Sequence, residues 1–141
     1  MAEPIPASAP APFRTPPPVT ALELLRHAVA TLAYRADKVL RHGPEGFAEF
    51  RSGQSCRSAA EIVWHLGDLM VWGERLARGE YRWEAGDPLP WAEAVQRFFR
   101  ALAALDAALA DPSVALPPTD VLFQGPIADA LTHVGQLALM R

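Results

Sequence analysis

The sequence predicts an all-α protein, most simply a four-helix bundle. Three observations carry this. Four stretches place apolar residues at helical spacing, and turn or capping signals separate them. No comparable run shows the period-two alternation, rich in β-branched residues, that a strand needs. The chain has 141 residues, 50% of them hydrophobic and 21% charged, which suits one domain with a real core.

Residues 1–18 hold seven of the fourteen prolines. Proline lacks the backbone donor and fixes φ, so this stretch is expected to be a disordered tail of polyproline character, with the bundle over residues 19–141. Helix one opens at Thr20-Ala21-Leu22-Glu23, a capping box, and extends to about His42 with Leu25, Val29, Leu32, Ala36 and Val39 on one face. Gly43-Pro44 stops it, and His42 is expected to interact with the dipole at its C-terminus. A second capping box, Ser58-Ala59-Ala60-Glu61, opens helix two, which reaches about Arg78-Gly79. Helix three spans Trp91 to Ala110 between Pro90 and Pro112. Helix four is expected to start at Gly125-Pro126, with proline in the favoured first position, and to run to the C-terminus. Val121 to Pro126 also spells the recognition sequence of a viral protease used to remove tags, but Gly-Pro sits where a helix start needs it. The linkers 82–90 and 112–123 are long for a bundle, so an up-down-up-down order does not follow.

Composition excludes several functions. Thirteen basic against sixteen acidic residues leave a net charge of −3, which argues against a nucleic-acid surface built on bulk charge. No segment has the roughly 18 uninterrupted apolar residues of a membrane span. The N-terminus lacks the plan of a signal peptide, and the single cysteine, Cys56, forms no internal disulfide. A cytoplasmic protein that binds neither membrane nor nucleic acid is the expectation.

Chemistry concentrates on two helices. In helix two, His65 falls among Ile62, Leu69, Trp72 and Leu76, within about 80° on the helical wheel. Alone, it reads first as a core histidine hydrogen-bonded to a carbonyl or carboxylate. In helix four, Asp129 and His133 are four apart and share a face, the spacing by which two ligands grip one cation. The apolar centre of that helix (Ile127, Leu131, Val134, Ala138) lies more than about 100° away, which equally suits a solvated Asp/His edge. Together the three residues make an N,N,O set, and three protein ligands beside an open position is how catalytic zinc is held. Asp68 and Glu74 fall outside the His65 stripe and are expected to be solvated. The four tryptophans read first as core or dimer packing.

The segments AAEIVWHLGDLMVWGERLARG and FQGPIADALTHVGQLALMR resemble the DinB/YfiT-like family of four-helix-bundle metalloenzymes. The specific likeness covers about a third of the chain. The resemblance implies a divalent metal held by His65, Asp129 and His133, with Gly135-Gln136 matching the family's trailing GQ. Asp129 departs from the commoner histidine, although members related to mycothiol-dependent isomerases place a carboxylate there. It hardens the site toward zinc first, with nickel, iron or manganese as further candidates. The chain stops at Arg141, earlier than most members, so a terminal segment that would cover the site is expected to be either missing or never present.

The resemblance also implies thiol transfer with a low-molecular-weight thiol, or hydrolysis, on a small-molecule substrate, and a homodimer. The alternative is a non-catalytic, stress-associated binding bundle whose metal is structural or absent. A coordination position left open beside a pocket would favour the enzyme, and a fourth protein ligand the structural site.

Overall fold

A computed structural model describes residues 17–141. The proposed tail, apart from Pro17 and Pro18, lies outside the described residues. Both capping boxes form. The Thr20 side chain accepts from the Glu23 N–H and Ser58 from Glu61, while each glutamate reaches back to the cap N–H at 2.7 Å. They open α1 (Ala21–Leu40) and α2 (Ala59–Ala77); α3 spans Trp91–Ala110. No strand occurs among the described residues.

The fourth helical unit departs from expectation. It begins at Thr119 rather than Pro126, as α4 (Thr119–Leu122), continues through a π-helical segment (Phe123–Ile127), and ends as α5 (Ala128–Met140). Pro126 therefore lies inside the helical path, not at its start. A proline there has no N–H to donate, and the wider π turn accommodates the gap. The segment packs closely on α2. A Cβ added at Gly73 would come within 3.2 Å of Pro126 and of Leu105, and one at Gly125 within 3.1 Å of the Trp72 ring. Leu122, Pro126 and Ile127 are buried, so this stretch is part of the core.

Around the bundle, α1 neighbours α3 and α5, and α2 neighbours the same two, with its most extensive packing against α3. The successive helices α1 and α2 are thus diagonal partners, and so are α3 and α5. The connection that joins neighbours, 78–90, is free to lie along α2 instead of crossing the bundle. Leu32, Leu66, Met70, Phe98, Leu105 and Leu137 form the centre of the core, each essentially fully buried.

The end of α1 is closed differently from expectation. His42 itself takes the left-handed conformation, with φ 54°. The cation at that terminus is Arg141, whose guanidinium donates to the Val39 and His42 carbonyls at 3.1 Å and to that of Lys38. Among the described residues, no helix is long and apolar enough to cross a membrane.

Candidate metal centre

The residues that face one another across α2 and α5 depend on which arc of each helix is buried. On α2 the buried set includes Val63, Leu66, Met70 and Gly73, so the buried face is broad. His65 lies at its margin, not its middle, with its side chain 20% exposed. On α5 the buried residues are Ala130, Val134 and Leu137, continuing from Ile127. This arc is turned by about 60° toward His133 from the one the apolar pattern suggested. Leu139, although apolar, is 91% exposed. The rotation brings His133 inward to 13% side-chain exposure, while Asp129, one turn earlier, stays half-exposed.

His65, Asp129 and His133 meet there, with one ligand atom from each lying within 4.8 Å of the others. His65 Nε2 is 3.4 Å from Asp129 Oδ2, and His133 Nε2 is 3.5 Å from Asp129 Oδ1. The imidazoles stand edge to face, with centroids 4.7 Å apart. A tetrahedral ion with bonds of about 2.0–2.1 Å has donor-to-donor edges of about 3.4 Å, the length of each of these two separations, which end on different oxygens of Asp129. No fourth histidine, cysteine, aspartate or glutamate joins the cluster among the described residues.

The surroundings tune these donors. His133 Nδ1 is 2.7 Å from Gln136 Oε1. An amide oxygen only accepts, so Nδ1 carries a proton and Nε2 is the ring nitrogen turned toward Asp129. Nε2 and a carboxylate oxygen approach favourably only with a proton or a metal ion between them. Burial holds the His65 imidazole below its ordinary pKa, helped by the neighbouring His133 and by the positive charge of Arg57, against the opposing pull of Asp129. His65 is thereby kept neutral near pH 7, the form that ligates a metal.

Trp83 closes one side. It lies edge-on to His65 at 5.8 Å and to Trp72 at 5.5 Å. The linker that carries it is fixed at several points. The Trp64 indole N–H donates to the Leu89 carbonyl at 2.8 Å, Arg75 pairs with Glu84 at 3.0 Å, and the Gly86 N–H donates to Asp68 at 3.0 Å. Trp64, Trp72 and Trp91 pack against the core as expected; Trp83, 45% exposed, lies beside the candidate site instead. No periodicity marks Trp83, because its segment is not helical. The role of Gln136 was accessible from spacing, since it stands three residues after His133 on the same face.

The expectation for Asp68 is corrected. It is buried, receives Arg97 Nη2 at 2.7 Å, and accepts from Gly86. Glu74 pairs with Arg78, the C-cap of α2. Glu61 keeps its capping role and also holds Arg51 through two bonds of 2.8 Å. Comparison with models of known families, with curated proteins and with solved structures found no match.

Proposed function

We propose that the protein is a divalent-metal-dependent enzyme of the DinB-like type, with His65, Asp129 and His133 as the metal ligands. The observation that carries this reading is the arrangement at His133, where Gln136 holds Nδ1 and Nε2 faces a carboxylate at 3.5 Å. A third donor, His65, stands 3.4 Å from the same carboxylate. The N,N,O set, with an anionic oxygen, suits zinc first and admits nickel, iron or manganese. When bound, such an ion lowers the pKa of a thiol or water and supplies a nucleophile near neutral pH.

The protein's own residues define the rest of the proposal. Gln136 fixes the His133 tautomer and ring orientation. Trp83 and Trp72 exclude water on one side. The absence of a fourth ligand among the described residues, together with a cavity lined by His133 and Gln136, favours a catalytic over a structural ion. The chemistry this suits is thiol S-transfer or hydrolysis on a small molecule. Half-exposed Asp129 favours the second reading, a non-catalytic bundle in which the trio is only a hydrogen-bonded edge.

Metal content decides between them. Protein purified without chelator or nickel resin is expected to carry nearly one equivalent of metal, and a His65→Ala, His133→Ala double variant none. Absence of metal from the wild type, even after zinc is added, would overturn the enzyme reading.

A further inference from the structure

The candidate metal centre borders a cavity of about 490 Å³, the size of a small-molecule site. Its lining includes Ser52, Arg57, Ile62, His133, Gln136 and Met140. His133 is therefore shared between the metal trio and the cavity wall.

Arg57, like Arg35 and Arg100, holds no carboxylate among the described residues, and of these three it is the one that lines the cavity shared with His133. Seven other arginines hold a carboxylate within 4.0 Å, and Arg141 caps α1. Arg57, which lines this cavity, has no ion pair or side-chain hydrogen bond among the described residues. Its backbone is nonetheless well placed. The preceding carbonyl, of Cys56, accepts from Arg51 at 2.7 Å, and the following residue, Ser58, is the buried N-cap of α2. A guanidinium on a fixed stem, without an internal partner and facing a cavity, is a fork available to an anion.

We propose that this cavity binds a small monocarboxylic acid, with Arg57 holding its carboxylate. The apolar body of the acid lies on Ile62 and Met140, and its far end carries a donor atom that reaches the His65–Asp129–His133 centre. The inference rests on the metal-centre reading given above. Charge supports one carboxylate over a phosphate dianion. The lining offers a single guanidinium, and the Gln136 oxygen is committed to His133.

The test uses the full chain loaded with Co²⁺, whose visible absorption reports a thiol entering its coordination sphere. Under reducing conditions, 4-mercaptobutyrate and the uncharged 4-mercaptobutanol are titrated into wild type and Arg57→Gln. Wild type is expected to bind the acid about tenfold more tightly than the alcohol, as one charge-assisted pair supplies. Arg57→Gln is expected to load Co²⁺ equally and to bind both thiols with the alcohol's affinity. Equal affinities in wild type, or a preference that survives in Arg57→Gln, would overturn the carboxylate subsite while leaving the metal centre standing. Failure of wild type to bind Co²⁺ would overturn the metal centre, and the subsite with it.

Discussion

Two polar clusters share α2, three residues apart, and they are built to opposite ends. On the side facing α3, Asp68 and Arg97 form a closed unit. The ion pair is 2.7 Å long, the Asp68 side chain is 9% exposed, and the Gly86 N–H takes a further bond to the same oxygen. Gly67 makes room for it, since a Cβ there would stand 2.7 Å from Arg97 Nη1. On the side facing α5, His65, Asp129 and His133 approach no closer than 3.4 Å, and Asp129 is half in water. The first cluster has satisfied its donors and acceptors with one another. The second leaves its donors 3.4 and 3.5 Å from the carboxylate oxygens, longer than a closed ion pair. Contact length and the saturation of partners, more than residue type, distinguish a structural polar cluster from a candidate site.

The largest effect expected from this contrast is on stability. Asp68→Ala leaves Arg97 largely buried without its counter-charge and removes the acceptor for Gly86, and should cost roughly 3 kcal/mol in urea unfolding. Asp129→Ala, at a half-exposed position, should cost less than about 1 kcal/mol. Similar losses at both positions would erase the distinction.

The next effect is on metal affinity. Gln136→Leu removes the group that orients His133 and should weaken zinc binding about tenfold, read by competition with a chromophoric chelator, with little change in unfolding midpoint. An unchanged affinity would mean that the His133 tautomer is fixed by something other than Gln136.

The smallest is a pH dependence. His65 has a folded-state pKa below its unfolded value of about 6.5. Above that value both states are neutral and the group contributes nothing to the slope. As pH falls below it, the unfolded chain takes up the proton more readily, so metal-free stability should decline between about pH 6.5 and 5. His65→Gln should flatten this decline. A slope unchanged in the variant would assign the protons elsewhere. The carboxylates whose pKa is lowered, such as Glu23, Glu61 and Glu84, lose their contribution only at still lower pH.

Much of the architecture is local and therefore legible along the chain. The capping boxes at Thr20 and Ser58 use groups three residues apart, and both form as the spacing requires. Helix α3 ends where its flanking prolines and Asp111 end it. Residues four apart on a helix share a face whatever surrounds them, so Asp129 and His133 pair by spacing alone. The beginning of the last helix was not legible in the same way. Gly125-Pro126 carries every sign of a helix start, and only packing of the π segment against Gly73 and Trp72 keeps the helical path unbroken through it.

Helix positions, caps and the two halves of the trio thus follow from short-range spacing, because hydrogen bonds within one or two turns set them. The meeting of those halves does not. Helix α5 is apolar on more than one arc, and its own sequence is compatible with burial of either. Contact with α1 and α2 buries the arc of Ala130, Val134 and Leu137, and this turns His133 toward His65. The same long-range packing places Trp83 beside the imidazoles, buries Asp68 against Arg97, and sets Arg57 and His133 on one cavity. These are contacts between residues distant in the chain, chosen by which faces exclude water together, and no local periodicity encodes that choice.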